Sequence, residues 1–144
     1  MILYLDTSVL VKLYVEETGS EKIRDITRNA TVVSTSKVAY AEARAAFARK
    51  QKEDGFSINT LRRIVDDLNK DWESYFVIEL TDGLIRFAGD IAEKHLLRGF
   101  DSIHLASALY LKNKTGVEIY FSSNDARLNQ AADEEGIIVL GKTF

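Results

Sequence analysis

A three-layer α/β/α sandwich around a five-stranded parallel sheet is the fold class this sequence predicts, and three observations carry it. Apolar runs such as Ile2-Leu3-Tyr4-Leu5 and Ile137-Ile138-Val139-Leu140 are continuous rather than alternating, as strands covered on both faces must be. Segments of helical character separate the runs, so strand and helix alternate along the chain. No linker, repeat or low-complexity stretch divides the 144 residues, which fits one domain over 1–144 with room for a sizeable core.

The elements follow in order. Residues 2–6 read as a short buried strand, followed at once by a helical segment to about Tyr14. Thr18-Gly19-Ser20-Glu21 has capping-box spacing and predicts a helix to about Arg28. Thr31 to Thr35 is a β-branched strand, Ser36 caps a long helix to about Lys52, and Asp54-Gly55 makes the turn. A helix from about Ser57 to Trp72 leads to a strand at Tyr75 to Leu80. Thr81 caps a helix to about Leu97, Arg98-Gly99 breaks it, and another helix covers roughly 101–113. Val117 to Phe121 is a strand, 125–134 a helix, and Ile137 to Leu140 the last strand.

Composition excludes several classes. With 46% hydrophobic and 28% charged residues the chain is ordinary globular protein. No window approaches the ~18 uninterrupted apolar residues of a membrane span, and no signal peptide is recognisable. The absence of cysteine excludes disulfides and thiolate metal sites, and suits a cytoplasmic location. The absence of proline has no functional account. A net charge of −3 runs against the basic footprint of a nucleic-acid binder. Acids committed to a cation would be offset locally, however. The segment from Arg44 to Arg63 also carries Arg44, Arg49, Lys50, Lys52, Arg62 and Arg63 against only Glu53 and Asp54. That segment is either a solvated helical hairpin or a phosphate-tracking surface, with Arg44, Arg49 and Lys50 as its candidate contacts.

Four acids stand in contexts that ordinary surface acids lack. Asp6 ends the first apolar run, and Asp125 follows Tyr120-Phe121-Ser122-Ser123-Asn124. Both lie just past strand ends, where parallel α/β sheets place their ligands. Each is also well placed to cap the helix after it. Glu42 has Val38, Ala39, Ala45 and Ala46 at helical contact spacing, so no local ion pair explains it, and an unpaired inward carboxylate is costly. Asp101 shares a helical face with His104, Leu105 and Ala108, and Ser102 competes with it as a cap. Gathered at one rim, the four would hold a hard divalent cation, Mg²⁺ or Mn²⁺, of the kind that cuts phosphodiesters. Thr7, Ser8 and Ser123 add hydroxyls able to orient carboxylates or a phosphate. His104, embedded among Ile103, Leu105 and Ala106, reads as a hydrogen-bonded core or orienting residue rather than a general base. His95 reads as an exposed helix-end residue without a role. Trp72, Tyr75 and Phe76 read as core or as a dimer face.

At these positions the chain resembles the PIN-domain ribonucleases, especially the small VapC-type toxins of toxin–antitoxin pairs. Tyr4-Leu5-Asp6-Thr7-Ser8-Val9-Leu10-Val11-Lys12 is similar to the family's first motif and Val38-Ala39-Tyr40-Ala41-Glu42 to its second. Phe100-Asp101-Ser102-Ile103-His104-Leu105-Ala106-Ser107-Ala108 resembles the third, and Phe121-Ser122-Ser123-Asn124-Asp125 the fourth. The resemblance implies a PIN-like fold and a Mg²⁺- or Mn²⁺-dependent endoribonuclease that leaves 5′-phosphate and 3′-hydroxyl ends. In it Asp6 and Asp101 would be principal metal ligands, with Glu42 and Asp125 holding metal or its waters. It further implies an RNA substrate, an antitoxin partner and a homodimer. The further acid that some members carry near the fourth motif has no equivalent here, which leaves one or two metals open. Two other readings remain. One is an aspartyl-nucleophile phosphatase, which would want a second acid where Ser8 stands. The other is a non-catalytic module that keeps the fold.

Overall fold

The computed structural model describes residues 1–141, and the last three residues of the expected 1–144 domain lie outside the described residues. Five parallel strands run β1 Ile2–Leu5, β2 Val32–Ser36, β3 Phe76–Ile78, β4 Ile119–Ser122 and β5 Ile138–Val139. Their order across the sheet is β3-β2-β1-β4-β5. In the central strand Leu3, Tyr4 and Leu5 are all fully buried. Its register sets Tyr4 beside Ser34 on one side and Phe121 on the other.

Among the described residues the helices are α1 Thr7–Leu10, α2 Ser20–Asn29, α3 Val38–Asp54, α4 Ile58–Trp72, α5 Asp82–His95, α6 Gly99–Thr115 and α7 Ala126–Glu134, with a 3₁₀ turn at Val11–Leu13. Alternate residues of β1 face opposite layers, as the two-residue period of a strand requires. Leu3 and Leu5 pack with Val9, Leu10, Ile23, Ala43, Phe47 and Leu68 from the α1–α4 layer. Tyr4 packs on the other side with Leu84, Ile91, Leu105, Phe121 and Leu128, in the layer of α5–α7.

Three local expectations are corrected. The helix α2 is capped by Gly19 at φ 91 and not by Thr18. Ser20 Oγ instead accepts from the Glu17 amide at 2.9 Å, which fastens the preceding turn. The α5–α6 break falls at Leu96, which takes a left-handed φ of 54, so Arg98 becomes the residue before α6 and Gly99 its first. His95 is not exposed: its side chain is 6% accessible, and Nε2 meets Glu135 Oε2 at 2.6 Å. Lys94 first, and His95 with it, hold the Glu135 carboxyl below its ordinary pKa. Trp72 is half-buried against Tyr40 and Tyr75 half-buried against Trp72, whereas Phe76 is largely exposed on the edge strand.

The order of the strands positions the site. From β1 the chain steps to β2 and β3 on one side, then returns to place β4 against the other side of β1. The loops leaving β1 and β4 therefore diverge to opposite layers and open a crevice at their C-terminal ends.

Candidate active site

That crevice is an open depression of about 330 Å³, lined by Asp6, Glu42, Asp101 and Asp125 together with Thr7, Ser8, Arg98 and His104. Asp6 leaves β1 and Asp125 the turn after β4, while Glu42 comes from α3 and Asp101 from α6, so both helical layers contribute.

The Asp6 carboxylate is held on both oxygens. Oδ1 accepts from the Val9 amide at 3.1 Å and from Ser8 Oγ at 2.7 Å, and Oδ2 accepts from Ser123 Oγ at 2.6 Å. Both hydroxyls work in two directions. Ser123 Oγ also accepts from the Asp125 amide at 3.0 Å, and Ser8 Oγ from the Asn124 amide at 3.1 Å, which locks the two divergent loops together. Asn129, buried on α7, donates to the Ser123 carbonyl at 2.8 Å and fixes the same turn. Asp6 is 4% exposed. Burial pushes its pKa above the usual aspartate range, against the pull of His104, Ser123, Ser8 and Val9.

A second chain of hydrogen bonds holds Glu42. Thr7 Oγ1 donates to Glu42 Oε1 at 2.5 Å, so its own oxygen accepts from His104 Nε2 at 3.1 Å. The same Nε2 lies 3.0 Å from Glu42 Oε1. In neutral His104 this places the ring proton on Nε2 and leaves Nδ1 to accept from the Tyr4 hydroxyl at 2.8 Å. Burial alone would raise the Glu42 pKa, but the His104 and Thr7 hydrogen bonds outweigh it and hold the carboxyl below its ordinary value. Burial likewise lifts the Tyr4 phenol well above its usual value, so it stays a donor.

Asp101 and Asp125 are held otherwise. Arg98 Nε donates to Asp101 Oδ2 at 3.0 Å, and Arg98 Nη2 to Asp125 Oδ2 at 3.1 Å. The hydrogen bond to Asp101 first, and the charges of both acids with it, raise the guanidinium pKa further. Asp125 Oδ1 caps α7 by accepting from the Leu128 amide at 3.0 Å, so this acid serves helix and site with different oxygens. Asp101 is the third residue of α6 and caps nothing, which removes the bland explanation for it.

The donor chemistry fits a hard divalent cation, being four carboxylates with hydroxyls behind them and no soft ligand. The geometry differs from the shared cage expected from the sequence. Among the described residues no three acidic or imidazole groups are gathered closely enough to hold an ion as they stand. The positive charge between Asp101 and Asp125 is the Arg98 guanidinium.

A family model, PIN domain, matches residues 3–134. This chain is a PIN-domain protein. It is 36% identical over 112 residues to Ribonuclease VapC45 of Mycobacterium tuberculosis (strain CDC 1551 / Oshkosh), with 75% of each chain covered. It is equally similar to Ribonuclease VapC49 of strain ATCC 25618 / H37Rv. Among solved structures, FitAcB from Neisseria gonorrhoeae superposes with a TM-score of 0.68 at 17% identity, over 99% of this chain and 98% of that one. The Mycobacterium tuberculosis toxin VapC20, described as cleaving the Sarcin-Ricin loop, gives a TM-score of 0.65 at 15% identity, over 94% and 96%. At such identities these likenesses speak for the fold alone.

In this PIN-domain protein the four acids and the hydroxyls of Thr7, Ser8 and Ser123 come together, whereas the basic candidates do not join them. Arg44 donates to the Tyr40 hydroxyl at 2.9 Å and lies over its ring. Lys50 sits 3.9 Å from both Glu17 and Asp54. Arg49 is exposed, and none of the three lines the depression. Sequence reasoning missed Arg98 and Asn129 and left Tyr4 as core. The available signal for Arg98 was a cation three residues before Asp101, a spacing that pairs side chains on a helix.

Proposed function

We propose that this chain is an endoribonuclease that hydrolyses RNA phosphodiester bonds with a divalent cation, and that it is the toxin of a toxin–antitoxin pair. The observation carrying the proposal is the convergence of Asp6, Glu42, Asp101 and Asp125 on one open depression at the strand-order switch. Family membership and the two VapC ribonucleases at 36% identity support the same reading. Solved relatives include a toxin–antitoxin complex from Klebsiella pneumoniae and VapBC2 from Rickettsia felis bound to a promoter DNA fragment, which supports a protein antitoxin as partner. A homodimer, a cytoplasmic location and Mg²⁺ or Mn²⁺ as the ion belong to the same proposal. Among the described residues no helix is long and apolar enough to cross a membrane.

The cation would be held by Asp6 and Asp101, with Glu42 and Asp125 completing its surroundings, and would supply Lewis-acid charge at the scissile phosphate. The rest of the work falls to side chains. Ser8, Ser123 and the Val9 amide orient Asp6 before substrate arrives. The Tyr4–His104–Thr7 chain keeps Glu42 ionised and aimed into the depression. Arg98, which donates to Asp101 and Asp125 and lines the depression, would be the positive side chain available there to a phosphate oxygen.

The test is cleavage of single-stranded RNA with and without Mn²⁺, together with Asp101→Asn and Ser123→Ala. Chelation and Asp101→Asn should each abolish cutting, and Ser123→Ala should reduce it about 10- to 100-fold, as for other residues that orient a metal-site ligand. Phosphate release without shortening of RNA would point to a phosphatase. Cutting that survives both chelation and Asp101→Asn would end the proposal.

A further inference from the structure

Beside the acids the cleft continues into a second cavity of about 490 Å³, lined by Glu42, Arg98, Gly99, Phe100, Asp101 and Ile103. It shares Glu42, Arg98 and Asp101 with the acidic depression, so the two form one continuous groove. Its far wall is different in kind. Phe100 is 57% exposed and belongs to neither core cluster, although it stands next to Asp101. The fold makes no use of this ring, since α6 buries Ser102, His104, Leu105 and Ala106 instead.

Gly99 sharpens the point. Its φ is not in the left-handed region, and a Cβ there would meet nothing within 4 Å. Neither backbone conformation nor internal crowding requires glycine at this position. What the missing side chain leaves is open space in a cavity that the exposed side chains of Arg98 and Phe100 also line. A flat apolar face, a neighbouring cation and an adjoining phosphodiester site are together the features with which proteins hold unpaired nucleotides.

We infer that Arg98, Gly99 and Phe100 form a subsite in which one unpaired nucleobase stacks on the Phe100 ring, next to the phosphate presented to the four acids. The inference rests on the ribonuclease reading above and goes further, because it selects single-stranded or looped substrate. A base inside a duplex offers no free face to Phe100. Recognition by stacking also tolerates all four bases, so this position sets strandedness more than sequence.

The experiment uses full-length protein and a single-stranded oligoribonucleotide with phosphorothioate linkages to slow cleavage. 2-Aminopurine is moved along the oligonucleotide one position at a time. Binding is read by anisotropy and stacking by quenching of the 2-aminopurine. Wild type should quench at one position. Phe100→Ala should lose that quench and weaken binding about 5- to 150-fold, the range that loss of one base–aromatic stack implies. Phe100→Trp should restore both quantities, while Phe100→Leu, apolar but not planar, should not restore the quench. An abasic residue at the quenched position should make wild type and Phe100→Ala bind alike. Melting curves establish that the variants fold. Equal binding and equal quench in wild type and Phe100→Ala, with RNA cleavage intact, would overturn the subsite and leave the ribonuclease reading standing. So would a Phe100→Ala protein whose only change is its oligomeric state in sedimentation, because the ring would then be a protein contact. A wild type that neither binds nor cuts RNA would overturn both.

Discussion

Replacing His104 with leucine tests whether the polar chain behind Glu42 is a working part of the site. The imidazole is 2% exposed and joins a buried hydroxyl, at 2.8 Å, to a carboxylate, at 3.0 Å. His104→Leu keeps apolar bulk but strands the Tyr4 hydroxyl inside a fully buried residue, which costs roughly 1–3 kcal/mol. The charge-assisted bond to Glu42 adds about 1.5 kcal/mol, the low end being appropriate because water can reach that carboxylate. The sum is roughly 2.5–4.5 kcal/mol, or about 8–14 °C of melting temperature at ~3 °C per kcal/mol for a chain of this length. Tyr4→Phe deletes the other partner while its ring keeps the parallel stack on Phe121 at 5.5 Å, so it too should cost about 1–3 kcal/mol. In the double variant neither an orphaned hydroxyl nor an orphaned ring nitrogen remains between the two positions. Its loss should therefore fall short of the sum of the single losses by roughly 2–6 kcal/mol, the two orphan penalties together. Urea unfolding of chelator-treated protein measures all four corners of the cycle. Additivity within ~0.5 kcal/mol would refute the hydrogen bond as drawn. Full RNA cleavage by His104→Leu would show that Glu42 needs no such support.

Two further outcomes follow from the charges. Burial raises the Asp6 pKa, so the fold binds that proton more tightly than the unfolded chain does; the resulting penalty is absent below the unfolded value of 3.8 and complete once pH passes above the raised folded value. Chelator-treated Asp6→Asn should accordingly melt higher than wild type at neutral pH, with the gain vanishing in acid, while losing RNA cleavage; a neutral-pH melting point below wild type would contradict this account. Arg49, exposed on α3, is the remaining candidate to track flanking RNA backbone, and Arg49→Ala should lower the slope of log affinity against log salt by about 0.7, one single-strand phosphate contact, whereas an unchanged slope would move the RNA path elsewhere.

How legible the molecule was in its sequence depended on the range of the interaction concerned. The central strand was plain because Ile2-Leu3-Tyr4-Leu5 is apolar on both faces, and α4 because Ser57 caps it and its apolar stripe repeats at helical spacing. Glu42 was legible as an anomaly, since its local neighbours offered no partner; that Thr7 and His104 supply one lies 35 and 62 residues away in the chain and could not be read locally. Arg98 does lie in the break between α5 and α6, but its contact with the two acids is not legible there. Glycine usually ends helices, but here Leu96 takes the left-handed position and Gly99 starts the next helix, which turns Arg98 back over Asp101 and Asp125. His95 was misread for the same reason of range, because its partner Glu135 comes from the far end of the chain.

The two halves of the site are fixed by different means, and this bears on how a cluster of acids can exist at all before a cation arrives. The Asp6 and Glu42 carboxylates are hydrogen-bonded from within by donors that belong to the fold: two serines, an amide, a threonine and an imidazole. Those donors are themselves fastened by Asn124, Asn129 and Tyr4, so they cannot leave without disturbing the core. Asp101 and Asp125 share instead one guanidinium at the end of a side chain that is 80% exposed. In water such a pair is held weakly, and a cation held by these acids would take its place without unpacking anything. The inner pair therefore carries the shape of the site, and the outer pair carries its readiness to exchange one positive charge for another. Arg98 lines both depressions of the groove, and Phe100 lines the second, so the exchangeable charge sits beside the exposed ring.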